Sequence, residues 1–428
     1  MKLLLPLGIL AAIGSVAAAA LLASSAPSAS SPTAPATLGV VTEFSLAWPV
    51  PPVSSGSTHE LTYNRALPAG TDPVFWVTGQ THDALARVTL DGVPTFFPMP
   101  SGSRPHGIVF DAAGNLWVTL EFAGQLARID QTTGAILQTI DVALHAEGAP
   151  FPINTHPHGL GVAPDGATLW FTGKATGTVG RVTFAADGTA TVAHFALPTT
   201  GSVPIYIVAG PDGAMWCTEL VGNAIARVTP EGVVTEYPIP TYNSRPIGIT
   251  PGPDGRSMWF SEEAGNKIGR LDITPSDTAP GGVAVSLTEY PVPLLHANTI
   301  LASLAFDSAG NLWTQAYVNQ NAPYPAGTDA IVRIDRGITL APPTPPTGAI
   351  SDVPVTFYEV PTADTVMHRI TQGPEGAIWF TELAADKLGR LELVPVTEAA
   401  AKSPRPLLKK SPAPDAPRKI RPQPQFCG

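Results

Sequence analysis

The chain has 428 residues and a formal charge of −10, with 14% charged residues, 40 Gly and 47 Pro. This length is enough to bury a large core, and sparse charge with many Gly and Pro favours short strands and turns over long helices. An acidic chain does not attract nucleic acid by charge alone, which argues against a nucleic-acid partner.

The N-terminus has the pattern of an export signal. Residues 1–25 begin with one Lys and continue as an apolar, Ala-rich run. This predicts a secretory signal peptide and a periplasmic, secreted or cell-surface protein. The run is also long enough for an uncleaved membrane anchor, which stays open as the alternative. Residues 26–39, rich in Ser, Pro and Ala, are predicted to form a flexible linker.

Seven of the eight tryptophans mark a repeated unit, and they are Trp76, Trp117, Trp170, Trp216, Trp259, Trp313 and Trp379. In six units an arginine follows the tryptophan by 11 residues. In the sixth unit Arg333 follows by 20 residues, because residues 321–329 are predicted to be an insertion. So regular a spacing indicates one supersecondary unit repeated along the chain.

Each unit is predicted to contain four short strands. In RPIGITPGPDGRSMWFSEEAGNKIGRLD, residues 245–272, three strands alternate with turns rich in Gly, Asp and Asn. The run VVTEYPIP at 233–240 precedes it as a fourth strand that ends in proline. Four strands every 40 to 50 residues predict an all-β, seven-bladed β-propeller over residues 40–396.

The fourth strand also predicts how the ring closes. Its copies lie at 95–100, 136–142, 192–198, 233–240, 286–293 and 355–361, and no copy follows the seventh tryptophan. A spare copy, VVTEFSLAWPV at 40–50, precedes the first unit. Since an open ring would expose two sheet edges, we expect this N-terminal strand to complete the last blade.

The C-terminal segment differs from the rest in charge. From residue 397 onward there are seven Lys and Arg against two acidic residues, which leaves 17 basic and 32 acidic residues elsewhere. This Pro-rich basic tail, 397–428, is predicted to be disordered, either solvated or in contact with an anionic surface or partner. No disulfide is expected between the distant Cys217 and Cys427.

Two of the repeats resemble a known family closely. GPDGRSMWFSEEAGNKIGRL and GPEGAIWFTELAADKLGRL, with TEYPIP and TEYPVP, are similar to the repeat of streptogramin B lyases, also called virginiamycin B lyases. The resemblance covers about 350 residues and all seven units. It implies a propeller that opens a cyclic depsipeptide at its ester bond by elimination. It also implies a base histidine in a PHG segment, Mg²⁺ held by a glutamate four residues after a blade tryptophan, and a second PHG-type histidine one blade earlier.

The position of that histidine can be compared among the repeats. Aligned on PHGI, the units hold His106, His158, Ile205, Ile247, Ala302 and His368, and the first unit is too irregular to align. The fold therefore does not require histidine there. We expect the position to lie near the mouth of the central channel. A structural hydrogen bond at the start of the strand is the alternative role, above all for His368, which lacks the flanking Pro and Gly.

The residue at the glutamate position also varies among the repeats. Four residues after the tryptophan, the units hold Gln80, Glu121, Lys174, Leu220, Glu263, Tyr317 and Leu383. An acid one residue earlier, as in Glu219, Glu262 and Glu382, is interpreted as structural. By resemblance, His106 is the catalytic base, His158 an assisting catalytic histidine and Glu121 the Mg²⁺ ligand. Arg104 stands where the lyases carry a further acidic ligand, and Arg104 and Lys174 are predicted to lie on the solvated rim.

These observations favour an exported, monomeric lyase of the streptogramin lyase type. Its partner would be a small molecule or cyclic peptide at the channel mouth, and a membrane would be met only through the N-terminal segment. Two alternatives stay open: a non-catalytic propeller that binds a ligand or protein, and a metal-dependent lactonase or hydrolase. The sequence contains no P-loop, dinucleotide fingerprint, nucleophile elbow or zinc motif.

Overall fold

The computed structural model describes residues 37–395, apart from 50–55, 66, 68–69, 294, 297–298, 319–326 and 342–353. The predicted signal peptide, most of the predicted linker, and the basic tail with Cys427 lie outside the described residues. Among the residues that are described, no helix is long and apolar enough to cross a membrane. Cys217 is a buried free thiol in this part of the chain.

The described residues are almost entirely β-strand. The strands are β1 (Thr37–Ser45), β2 (Thr58–Tyr63), β3 (Val74–Gly79), β4 (Ala84–Thr89), β5 (Pro94–Pro98), β6 (Pro105–Phe110), β7 (Leu116–Leu120), β8 (Gln125–Ile129), β9 (Ile136–Asp141), β10 (Pro157–Val162), β11 (Leu169–Gly173), β12 (Thr178–Phe184), β13 (Ala190–Ala196), β14 (Pro204–Ala209), β15 (Met215–Glu219), β16 (Ala224–Val228), β17 (Val234–Pro238), β18 (Pro246–Pro251), β19 (Ser257–Glu262), β20 (Lys267–Pro275), β21 (Val283–Pro291), β22 (Thr299–Phe306), β23 (Leu312–Val318), β24 (Ala330–Ile334), β25 (Val355–Glu359), β26 (Met367–Gln372), β27 (Ile378–Glu382) and β28 (Lys387–Pro395). Short helical turns occur at Gln80–His82, Glu121–Ala123, Pro280–Gly282 and Arg336–Thr339.

These strands form seven four-stranded antiparallel blades. Blades 1 to 6 each use four consecutive strands, starting from β2, β6, β10, β14, β18 and β22. Blade 7 contains β26, β27, β28 and β1. The first strand of each blade contacts the first strands of the next and previous blades, including β2 with β26. The predicted seven-bladed β-propeller is confirmed, and these seven inner strands surround its centre.

The N-terminal strand closes the ring, as predicted. β1 pairs antiparallel with β28, from Thr37 opposite Pro395 to Ser45 opposite Lys387. The Lys387 Nζ donates to Glu43 Oε2 on β1 at 2.6 Å. The strand begins at Thr37 rather than at residue 40, so the last three residues of the predicted linker belong to the sheet.

Tryptophan and arginine hold neighbouring blades together. Every repeat tryptophan is at most 3% exposed, and the Trp379 ring of blade 7 lies 4.6 Å from the Phe75 ring of blade 1. The repeat arginine pairs in register with the tryptophan, and its guanidinium extends to the next blade. Arg87 donates to the carbonyl of Gln131 at 2.8 Å. The repeat motif is therefore structural, as the sequence indicated.

Candidate functional site

Blade 1 supplies a histidine that the sequence alignment missed. Thr58 pairs with Gly79 three residues after Trp76, just as Pro105 pairs with Leu120 three residues after Trp117. His59 therefore occupies the same position as His106, and the interpretation of the first unit as unalignable was wrong. The turn between β2 and β3 is longer than in blade 2, which shifts the histidine away from the spacing that the other units share.

Four histidines from consecutive blades meet at the centre of the ring. Ring centroids are 4.9 Å apart for His368 and His59, 5.1 Å for His59 and His106, and 3.6 Å for His106 and His158. The first strand of blades 7, 1, 2 and 3 positions them in that order. His106 is 1% exposed and His158 is 6% exposed. The two histidines predicted from sequence thus lie together, with His59 and His368 beside them.

Threonine hydroxyls fix the backbone at this position. Thr119, two residues after its tryptophan, accepts from the Gly107 N–H at 2.7 Å and donates to the carbonyl of His158 at 3.2 Å. Thr381 donates in the same way to the carbonyl of His59 at 2.8 Å. The bonds to the His158 and His59 carbonyls each link one blade to the next, which holds neighbouring histidine strands relative to each other.

Two of the histidines are held by hydrogen bonds. His59 Nδ1 lies 2.9 Å from the carbonyl of Ser57, and His368 Nδ1 lies 2.7 Å from the Tyr206 hydroxyl. The Tyr206 hydroxyl donates to Glu60 Oε1 at 2.7 Å. Arg369 Nε lies 3.4 Å from Glu60 Oε2. Blades 1, 4 and 7 therefore share one buried polar network beside the histidines.

The other two histidines have ring nitrogens available. The Nδ1 atoms of His106 and His158 are buried, and no hydrogen-bond partner for them exists among the described residues. Burial lowers the pKa of both rings well below the usual range, and neighbouring histidines and Lys174 lower it further. The pKa of His59 falls to about 3 and that of His368 to about 4, again chiefly through burial. All four imidazoles are therefore neutral at neutral pH.

Glu121 lies beside this cluster and is already paired. Its carboxylate, 1% exposed, accepts from Gln80 Nε2 at 2.7 Å and lies 3.4 Å from Lys174 Nζ. Burial raises the pKa of Glu121, while Lys174 opposes the rise. The three residues occupy the same position in blades 1, 2 and 3, so the curvature of the ring brings them together.

Lys174 and Arg104 differ in environment, although both were predicted on the rim. The Lys174 side chain is only 10% exposed, and its charge lowers the pKa of all four histidines. The prediction of a solvated Lys174 was wrong, because its side chain is largely buried and its ammonium pairs with Glu121 of the neighbouring blade. Arg104 is exposed, and its guanidinium lies 4.7 Å above the Phe122 ring.

The contacts of Glu121 do not suit magnesium. Mg²⁺ prefers octahedral coordination by oxygen atoms, whereas the row formed by Gln80, Glu121 and Lys174 offers one carboxylate, one amide and one ammonium. The Lys174 ammonium lies on the Oε1 side of Glu121, and a second cation beside it would be repelled. These contacts therefore argue against Mg²⁺ at Glu121, and the magnesium ligand there stays an untested prediction.

Comparison with known proteins supports the resemblance seen in the repeats. Residues 139–322 match the family model of the virginiamycin B lyase family. A virginiamycin B lyase from Nocardia farcinica is 27% identical over 215 residues, which is 44% of this chain and 70% of that protein. A solved streptogramin B lyase matches with a TM-score of 0.61 and 25% identity, covering 83% of this chain and 98% of its own.

This chain is similar to the virginiamycin B lyases in sequence and in fold. The Staphylococcus aureus virginiamycin B lyase matches with a TM-score of 0.60 and 26% identity, over 83% of this chain and all of that one. A catalytically inactive histidine-to-alanine variant of it, solved with quinupristin, gives a TM-score of 0.61. A Pseudomonas aeruginosa periplasmic gluconolactonase, 16% identical with a TM-score of 0.50, shares the fold.

His59 lies one blade before His106, whereas His158 lies one blade after it. The resemblance places a second histidine one blade before the base histidine, and His59 holds that position relative to His106. The stretch that matches the family model begins at residue 139. Within the cluster it includes His158, while His59, His106 and Glu121 precede it, so their roles rest on geometry.

Proposed function

We propose that this chain is a lyase that opens a cyclic ester of the depsipeptide kind by elimination. The observation that carries the proposal is the convergence of His106 and His158, 3.6 Å apart between ring centroids, beside the Glu121–Lys174 pair. Both histidine rings are buried and neutral, and each has a buried ring nitrogen without a partner among the described residues. We also infer that the protein is exported and acts as a monomer.

The reaction needs a base and a positive charge. The base takes a proton α to a carbonyl, the electrons of that C–H bond form a C=C bond, and the bond from the β-carbon to the ester oxygen breaks. The ester then leaves as a carboxylate that stays attached to the opened chain. We assign the role of base to His106, with the His158 ring, 3.6 Å away between ring centroids, to assist. Lys174 supplies the nearby positive charge for the developing enolate.

The surroundings of the site suit an apolar ligand. Phe122 follows Glu121 directly and is 44% exposed, and Phe151 and Ile153 are 78% and 43% exposed. Asn154 donates to the carbonyl of Phe122 at 2.9 Å, which ties the connection between blades 2 and 3 to the Glu121 turn. Exposed apolar side chains on the Glu121 turn and on the connection that contacts it offer apolar surface for a ligand.

The proposal is tested with a type B streptogramin such as quinupristin, the ligand solved with the Staphylococcus aureus relative. The product is separated by liquid chromatography and weighed by mass spectrometry. Elimination gives a linear product with unchanged mass and a new retention time. A gain of one water would contradict elimination and favour the hydrolase alternative. No turnover would contradict the depsipeptide assignment and favour a binding propeller.

Substitution of the base provides the sharper test. His106→Ala should lower kcat/KM by about 10²-fold or more, as expected when a positioned base is removed. His194→Ala is the matched control, because His194 is a half-buried histidine on the outer strand β13, away from the cluster. Equal activity of the two variants would exclude His106 from the reaction.

A further inference from the structure

We propose that His59, His106 and His368 bind a first-row transition-metal ion of the zinc type at the centre of the ring. One ligand nitrogen from each residue lies within 4.8 Å of the other two. The ring centroids form a nearly equilateral triangle, with separations of 5.1, 4.9 and 5.5 Å. The three side chains come from blades 1, 2 and 7, so the site exists only in the closed ring.

The triangle is close to the size that zinc requires. The centre of an equilateral triangle with 4.8 Å edges lies about 2.8 Å from each corner, and zinc–imidazole bonds measure about 2.0–2.1 Å. Each ring must therefore move inward by less than about 1 Å. Side-chain rotation has to supply this movement, because the Thr381 hydroxyl holds the backbone at His59. Three histidines and one free position are the arrangement of many catalytic zinc sites.

The Nδ1 hydrogen bonds of His59 and His368 are of the kind that metal-binding histidines make. Such histidines usually bond their second nitrogen to a carbonyl or carboxylate, which fixes the ring and its tautomer. His59 Nδ1 can donate to the carbonyl of Ser57 at 2.9 Å. His368 Nδ1 can donate to the Tyr206 hydroxyl, which in turn donates to Glu60. Both rings thereby direct Nε2 away from these partners and leave it available to a metal.

His106 is the third ligand, and a separate observation supports it. It is 1% exposed, and its Nδ1 has no hydrogen-bond partner among the residues described. Buried ring nitrogens are nearly always bonded, so a third ligand atom is available here at no cost in broken hydrogen bonds. His158 lies beside it at 3.6 Å. In the metal-free chain His106 is the base of the proposed elimination; with a metal on His106 that role passes to His158, whose buried Nδ1 also has no partner among the described residues.

The donor set distinguishes this site from the magnesium site expected at Glu121. Imidazole suits zinc, copper, cobalt and nickel, whereas magnesium and calcium prefer oxygen. The nearest cations already have carboxylate partners, since Lys174 pairs with Glu121 and Arg369 with Glu60. The site takes the metal ion alone as its ligand, so metal binding can be measured without the substrate. A metal site here therefore goes beyond the proposed elimination.

Metal binding to the full chain provides the test. The protein is prepared without a polyhistidine tag, stripped with a chelator and titrated with Zn²⁺, Co²⁺ and Mg²⁺. We expect about one tightly bound Zn²⁺ per chain, and visible Co²⁺ absorption of the strength typical of tetrahedral sites. Millimolar Mg²⁺ should not displace either ion. A folded chain that binds neither Zn²⁺ nor Co²⁺ would overturn the proposal.

The Zn²⁺ affinities of single-residue variants show which side chains bind the ion. His59→Gln and His368→Gln should each lower the Zn²⁺ affinity by at least about 100-fold, and Tyr206→Phe by about 10-fold or more through the lost support of His368. His194→Gln and His296→Gln are the controls, and they should bind Zn²⁺ as the wild type does. Circular dichroism checks that each variant is folded. Unchanged affinity in both His59→Gln and His368→Gln would refute the site.

The two proposals fail separately. These measurements use metal content and Co²⁺ absorption and involve no turnover. A chain that binds zinc through His59 and His368 but leaves a streptogramin intact refutes only the elimination. A chain that eliminates the ester but binds no zinc refutes only the metal site.

Discussion

At the residue scale, buried carboxyl groups set the response of the protein to pH. Glu219, Glu262 and Glu382 follow the blade tryptophan by three residues and are fully buried. Burial raises the pKa of each to about 8, and a neighbouring glutamate adds to the rise. At neutral pH these groups are largely protonated in the folded chain. Burial of these groups therefore costs stability that grows as pH rises from about 4.5 to about 8.

Glu262→Gln tests this cost. The folded pKa of about 8 lies above the usual 4.5, so between these values the folded state binds more protons than the unfolded state. Stability contributed by this group is therefore lost as pH rises toward 8. The neutral, isosteric Gln should remove the loss and make the variant more stable than wild type at pH 9, by on the order of 2 kcal/mol.

Urea unfolding at pH 5, 7 and 9 measures the effect. The exposed Glu147→Gln variant is the control, and its stability should follow the wild type across the series. If Glu262→Gln were less stable than wild type at pH 9, the carboxylate would have to be ionised and favourably bonded in the folded chain.

The sequence could reveal some residues of the site and not others. His106 and His158 stand out because other repeats carry Ile or Ala at that position, and Glu121 because its repeat alone combines the PHG histidine with a glutamate four residues after the tryptophan. His59 was hidden by the longer turn of blade 1, although THELTY has the length and residue types of an inner strand. No sequence signal reveals that Tyr206 meets Glu60, since 146 residues separate them and they contact only across the centre of the ring.

At the element scale, threonine hydroxyls join inner strands of neighbouring blades at four of the seven junctions described. Bridges that both accept from one blade and donate to the next are made by Thr119, Thr172, Thr218 and Thr381. The strand order and the turns were predictable from repeat spacing. These bridges were not, because a Thr in a strand is common for reasons of β propensity alone.

Thr119→Val should show what one bridge contributes. The substitution keeps the shape of the side chain and leaves the Gly107 N–H and the His158 carbonyl without this partner in a buried position. We expect a loss of about 1–3 kcal/mol in the free energy of unfolding. Thr119→Ser keeps the hydroxyl and should lose clearly less. Similar losses in both variants would mean that packing of the methyl group, rather than the bridge, stabilises the contact.

At the scale of the whole molecule, ring closure and the histidine cluster depend on each other. His368 belongs to blade 7 and His59 to blade 1, and these two blades meet where β1 completes the ring. The Leu46 N–H that follows β1 donates to the carbonyl of Asp386 at 2.8 Å. The Asp386 carboxylate accepts from the Ser57 N–H at 2.8 Å, directly before the strand that carries His59.

Replacing residues 37–45 by a Gly/Ser segment of equal length tests this dependence. The change leaves β28 as an unpaired edge, which favours association between chains, and it loosens the contact between blades 7 and 1. We expect a lower unfolding midpoint, a larger species on size-exclusion chromatography, and weaker Zn²⁺ binding. Val40→Thr, at an exposed position of β1, is the control and should behave as wild type. If the replaced chain stays monomeric with unchanged Tm and Zn²⁺ affinity, the blade-to-blade contacts close the ring without β1.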